Sequence, residues 1–112
     1  MHWSKGYGLL LDAVNQVVKK KNITLNLIIA GEGQQRNQLE LEIKKLKLSN
    51  EVKLLGSIYN IERFLSMLDY YVQPSISEGF GMSVIEAMAS KIPILCSNAG
   101  GLHEIITDGE TG

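Results

Sequence analysis

Pro74-Ser75-Ile76-Ser77-Glu78-Gly79-Phe80-Gly81-Met82-Ser83-Val84-Ile85-Glu86-Ala87-Met88-Ala89 follows a short apolar run, Tyr70-Tyr71-Val72, and leads into a helical pattern. A strand, a glycine-bearing loop and a helix start, in that order, make an anion site. Unpaired backbone N–H groups and the helix dipole, roughly +0.5 charge, converge there. Glycines let a bulky polar ligand come close to the backbone. Two carboxylates, Glu78 and Glu86, stand in the same stretch with seven residues between them. Beside an anion site, carboxylates serve hydroxyl groups rather than the phosphate. The pairing points to a ligand that carries both phosphates and sugars.

Outward from this stretch, apolar spacing sets the rest of the fold. Leu10, Ala13, Val14, Val17 and Val18 share one face, which predicts a helix over residues 6–20. Lys19-Lys20-Lys21 suits its C-terminus, where cations are favoured, and needs no further function. A strand is predicted over 23–30, where alternation passes into a continuous apolar run. The spacing then predicts a helix over 34–48, a strand over 51–55, and a short helix through Leu68 capped by Asn60. A strand at 70–72, a helix at 82–90, a strand at 92–96 and a short helix at 102–107 complete the chain. Strands alternating with helices across short loops indicate an α/β fold, a parallel sheet with right-handed crossovers. Ligands in such sheets bind at the carboxyl ends of strands. The loops at Gly31-Glu32-Gly33, Gly56-Ser57, Ser75 to Gly81 and Ser97 to Gly101 all follow strands. A helix-first order and a closing turn at Asp108-Gly109 lead us to expect a domain truncated at both ends.

Bulk properties narrow the function classes. The chain has 112 residues, an apolar content of 45% and a charged content of 21%, as expected of one globular domain. A net charge of −1 offers nothing to attract nucleic acid or an anionic membrane. One cysteine excludes an internal disulfide framework; Cys96 closes an apolar strand and reads as a small core residue. Neither His2 nor His103 has a second ligand at metal spacing, so no metal site is expected.

Two constellations carry chemistry. Gly31-Glu32-Gly33-Gln34-Gln35-Arg36 approaches the G-x-G-x-x-G dinucleotide fingerprint, but Arg36 stands at the third glycine, which normally permits tight helix–strand packing. A tight β–α turn that still touches a ligand is the simpler reading. On one continuous helix Glu78 and Glu86 would stand ~12 Å apart, whereas glycosidase pairs lie about 5–5.5 or 6.5–9.5 Å apart. Gly79 and Gly81 place the helix start after Glu78. Glu78 then belongs to the loop and Glu86 to the helix, two acceptors for different parts of one ligand. Solvated surface carboxylates remain the plain alternative. Phe80 reads as a packed loop anchor, and Met82 and Met88 as loop and core fillers.

Ser77-Glu78-Gly79-Phe80-Gly81-Met82 through Ile85-Glu86-Ala87-Met88-Ala89 resembles the E-x7-E signature of the retaining glycosyltransferases of family 4, the group 1 glycosyltransferases. Lys5-Gly6, Leu27 to Gly33, Val52 to Gly56, Pro74-Ser75, Pro93 to Cys96, Gly100-Gly101-Leu102-His103-Glu104 and Asp108 to Gly112 resemble further segments of the family's C-terminal domain. The family's arginine at the end of its first strand has no counterpart here, and Ser90-Lys91 stands where a small residue is usual.

The resemblance implies the GT-B architecture, two Rossmann-like domains across a cleft, of which residues 1–112 would be a single partial domain, the one that binds the nucleotide-sugar donor. It implies that Glu86 holds the ribose hydroxyls and that Glu78 contacts the donor sugar. Gly79, Phe80, Gly81 and Met82 would receive sugar and diphosphate through their backbone. Lys5 would neutralise the diphosphate, and Gly31 would take part in nucleotide-sugar binding, with the residues after it and those around Ser57 near the base. Glu78 and Lys5 are thus the expected catalytic residues. No metal or other cofactor is implied. The expected partners are a nucleotide sugar and a saccharide or lipid-linked acceptor bound by a domain outside this chain. The expected location is cytoplasmic, with any contact at the inner face of the membrane made by other parts of the protein. A nucleotide-sugar epimerase of the same architecture, or a non-catalytic nucleotide-binding remnant, are the alternatives.

Overall fold

A computed structural model describes all residues, 1–112. The chain divides into two compact units, Met1–Ile58 and Tyr59–Gly112. The first contains a 3-10 turn at Trp3–Lys5, α1 (Tyr7–Lys20), β1 (Leu27–Ala30), α2 (Arg36–Lys45) and β2 (Val52–Gly56). The second contains α3 (Ile61–Leu65), β3 (Tyr71–Gln73), α4 (Met82–Ala89), β4 (Ile94–Cys96) and α5 (Leu102–Ile105). Each unit is built on one parallel pair, β1 with β2 and β3 with β4. The fold class is the expected one, α/β with parallel strands and flanking helices, and the strand hydrogen bonds fall into these two pairs. No helix is long and apolar enough to cross a membrane.

In the first unit, Leu11 and Val14 of α1, Ile29 of β1, Leu39 and Ile43 of α2, Leu48 and Val52 form one buried cluster. Leu11 and Leu48 are wholly buried, each stabilising the unit by about 1.5–3 kcal/mol relative to exposure. The strand is shorter than its apolar run. Leu27 N–H donates to the Glu51 carbonyl at 2.7 Å, and residues 23–26 lie outside the β1–β2 pairing. A register shift between Ile29 and Ala30 brings Ala30 opposite Gly56.

Arg36 explains why the dinucleotide fingerprint is incomplete. Its guanidinium pairs with Glu32 at 2.9 Å and Glu40 at 3.2 Å, and donates to the Leu54 carbonyl at 3.4 Å. A charged clamp across the β1–α2 turn takes the place of a close glycine contact.

In the second unit, Phe64, Leu65, Val84, Ala87, Ile92, Ile94 and Leu102 are buried. Asn60 is the expected cap of α3; its Oδ1 accepts from Arg63 N–H at 2.9 Å. The helix ends at Leu65, three residues earlier than its apolar pattern, with the Ser66 hydroxyl donating to the Arg63 carbonyl at 2.8 Å.

Candidate functional site

Parallel pairing puts the loops after β3 and β4 at the same end of their strand pair. The ladder runs Tyr71–Ile94, Val72–Leu95 and Gln73–Cys96 and is extended by Ser97 N–H to the Gln73 carbonyl, 3.0 Å. Past it lie the acidic loop, residues 74–81, and the glycine loop, residues 97–101.

These loops meet backbone to backbone. Gly101 N–H donates to the Glu78 carbonyl at 3.2 Å. A Cβ at Gly100 would stand 1.9 Å from that same oxygen, and one at Gly101 would stand 2.3 Å from the Gly79 carbonyl. Gly100 also has φ +54, a conformation that disfavours side chains. The glycine pair therefore fixes the height of the Glu78 peptide.

Gly81 is the N-cap of α4 at φ 76, with no side chain closing the helix end. A Cβ there would stand 2.8 Å from Leu102 Cδ2 and 3.1 Å from Ile105 Cδ1, so α5 packs directly beneath the start of α4. Val84 and Ile85 N–H both donate to the Gly81 carbonyl. The N–H groups of Met82 and Ser83 precede the first intrahelical bonds and point out of the helix start. Helix starts with N–H groups left open in this way are places where anions can bind.

The two glutamates have different surroundings. Glu78 is half-buried in the loop. Its Oε2 accepts from Gln73 Nε2 at 2.8 Å and from the Ser75 hydroxyl at 2.9 Å. Glu86 is exposed on α4, just over one turn past the helix start. The separation into a loop carboxylate and a helix carboxylate is observed.

Phe80 does not anchor the loop as expected; it is 65% exposed. The backbone contact with Gly100 and Gly101 anchors the loop, and the ring is left on the outside. Met82 is likewise exposed, whereas Met88 is half-buried. Cys96 is half-buried rather than a core residue. Its thiol pKa is raised by burial and, secondarily, by the charge of Asp108, which keeps the sulfur protonated and a poor nucleophile.

Glu78, Gly79, Phe80, Gly81, Met82 and Glu86 are thus brought together in the second unit. Lys5 and Gly31 belong to the first. Lys5 closes the 3-10 turn before Gly6, the αL residue that starts α1. The Met1 ammonium donates to the Glu32 carbonyl, which sets the start of the chain beside the β1–α2 turn where Gly31 lies. No group of three or more His, Cys, Asp or Glu side chains is placed to hold a metal ion.

Sequence reasoning missed Gln73 and Ser75. Both are buried, at 6% and 1% exposure, yet polar and fully engaged with the loop. Their signal was alternation. Tyr71, Gln73 and Ser75 sit at i, i+2 and i+4, one face of an extended chain, between Val72, Pro74 and Ile76.

Residues 1–112 match the family described as "Glycosyl transferases group 1". An uncharacterized glycosyltransferase, MJ1178 of Methanocaldococcus jannaschii, is 36% identical over 110 residues, 96% of this chain and 29% of that protein. The chain spans less than a third of the length of such curated relatives. Among solved structures, a mutant of S. aureus TarM in complex with fondaparinux, alpha-GlcNAc-glycerol and UDP superimposes with a TM-score of 0.90 at 32% identity, over 97% of this chain and 22% of that one. Anabaena HepE in complex with UDP-glucose gives a TM-score of 0.85 at 30% identity, over 97% of this chain and 30% of that one.

Proposed function

This chain belongs to the group 1 glycosyltransferases, and we propose that within them it forms one partial domain, the nucleotide-sugar-binding half of a GT-B enzyme. The complete protein would transfer a sugar from a nucleoside diphosphate to an acceptor hydroxyl with retention of anomeric configuration, as in family 4. The observation that carries this reading is the pair of carboxylates around one helix start, Glu78 held in the loop and Glu86 exposed on α4. Similar structures with UDP and with UDP-glucose bound support it.

The diphosphate would lie at the start of α4 against the N–H groups of Met82 and Ser83, with the backbone of Gly79, Phe80 and Gly81 beside it. Glu86 would accept from the ribose hydroxyls and Glu78 from the sugar. The residues after Gly31 and those around Ser57 would lie near the base. In the reaction the anomeric C–O bond breaks and its electron pair goes to the departing diphosphate, while the acceptor hydroxyl oxygen bonds to the anomeric carbon and its proton passes to the diphosphate oxygen. Preorganised donors aimed at that developing charge stabilise the transition state by roughly 3–4 kcal/mol for each good donor. Lys5 and the α4 N–H groups are the donors in this reading, and no metal ion takes part. A saccharide or lipid-linked acceptor would be held by parts of the protein outside these residues.

A thermal-shift panel of uridine, guanosine and adenosine diphosphate sugars tests the reading. One of them should raise the Tm of the chain in proportion to the logarithm of its concentration. The chain alone should transfer no sugar, and the complete protein should. A complete protein that binds none of the panel would overturn the assignment.

A further inference from the structure

Buried and half-buried polar groups at the base of the acidic loop form a chain with one direction. Tyr71 OH lies 2.6 Å from Gln73 Oε1, and Gln73 Nε2 lies 2.8 Å from both Ser75 Oγ and Glu78 Oε2. Ser75 Oγ donates to Glu78 Oε2 at 2.9 Å. The Ser97 hydroxyl donates to the Ser75 carbonyl, which ties the chain to the strand beside it. The orientation of the Gln73 amide follows from its neighbours. A flipped amide would set its carbonyl oxygen against the Glu78 carboxylate. With Oε1 accepting from Tyr71, both Nε2 hydrogens are committed, one to Ser75 and one to Glu78. Every hydrogen bond in the chain therefore favours one position of one carboxylate oxygen.

We propose that Tyr71, Gln73 and Ser75 are positioning residues that lock Glu78 for the donor sugar, so that they govern affinity for the sugar and not for the nucleotide. The proposal rests on the donor-site reading above. None of the three is itself assigned a contact with the ligand. Charge-assisted bonds to Oε2 hold the side chain in a single rotamer, so the cost of ordering it is met in the free protein. Glu86 and the α4 N–H groups take no part in this chain, which is why the nucleotide is unaffected.

The test uses calorimetry on the full 112-residue chain with UDP-glucose, GDP-mannose and ADP-glucose, each beside its nucleoside diphosphate. For the pair that binds, Gln73→Leu should raise the Kd of the nucleotide sugar about tenfold and that of the nucleoside diphosphate by less than about twofold. Tyr71→Phe, which removes only the hydroxyl that orients the amide, should act in the same direction by about threefold, and it serves if Gln73→Leu does not fold. Gln73→Glu supplies a readout that a loss of structure cannot imitate. It sets a second carboxyl beside Glu78, and two such groups share one proton and resist full ionisation. The shared proton replaces the amide N–H. Sugar affinity, taken relative to the unsubstituted chain, should return at about pH 5 and fall toward about pH 8 as that proton is lost. If Gln73 and Tyr71 variants bind nucleotide sugar normally while Glu78→Gln does not, the relay is wrong and the donor site stands. If the variants weaken nucleotide and nucleotide sugar equally, with no return at low pH, the relay is likewise overturned. If the unsubstituted chain binds none of the panel, the relay falls for this chain, and the donor-site reading falls with it only if the complete protein binds none of the panel either.

Discussion

Glu86→Ala should abolish the stabilisation of this chain by nucleoside diphosphates while leaving its own Tm unchanged. The two halves of that result have separate causes. Glu86 is exposed on α4 and its carboxylate belongs to none of the side-chain networks of the second unit, so truncation removes no contact that holds the fold. An exposed change of this kind alters stability by about 0.5 kcal/mol or less. In the donor-site reading, however, the same carboxylate accepts from both ribose hydroxyls. Hydrogen bonds to a charged group are worth about 1.5–3 kcal/mol, which corresponds to roughly a 10- to 150-fold loss of affinity. A thermal-shift titration with nucleoside diphosphate checks it. A variant that keeps the full shift would remove Glu86 from the site.

Gly100→Ala should do the opposite, damaging the fold first. The new methyl would stand 1.9 Å from the Glu78 carbonyl oxygen, far inside van der Waals contact. That neighbour is backbone and cannot rotate away. The left-handed φ adds about 1–2 kcal/mol for a residue with a Cβ, and relieving the clash adds about 1–3 kcal/mol by analogy with overpacked cores. A total of about 2–5 kcal/mol is a large part of the 5–15 kcal/mol that holds a typical domain. Urea denaturation of the second unit should show the midpoint falling, and any folded remainder should bind nucleotide sugar poorly because the Glu78 peptide has moved. A midpoint equal to that of the unsubstituted chain would mean that the two loops do not meet as described.

The contrast between these positions shows what the sequence could and could not reveal. The order of helices and strands was legible, because apolar spacing is a local signal and each element carries its own. The separation of Glu78 from Glu86 was legible too, since Gly79 and Gly81 mark where a helix cannot yet have begun. Strand lengths were less so. Ile23 and Leu25 alternate as a strand should, but a strand exists only where a neighbour offers hydrogen bonds, and β2 begins opposite Leu27. The contact of Gly100 and Gly101 with the acidic loop joins segments some twenty residues apart through backbone atoms alone, so no side-chain pattern announces it. Phe80 was misread for the same reason: with the loop already held by that contact, its ring is not needed as an anchor. Gln73 and Ser75 stood in plain alternation with Tyr71, but buried polar residues in a strand become informative only once their partner, Glu78, is known to lie beside them.

In the donor-site reading, one nucleotide sugar spans the acidic loop and the first turns of α4. Amide chemical shifts of the 15N-labelled chain, recorded during titration with the nucleotide sugar that gives the largest thermal shift, test it most directly. The largest changes are expected at Gly79, Phe80, Gly81, Met82, Ser83 and Glu86, with those at Met82, Ser83 and Glu86 reproduced by the nucleoside diphosphate alone. Changes that leave residues 78–86 untouched would contradict it.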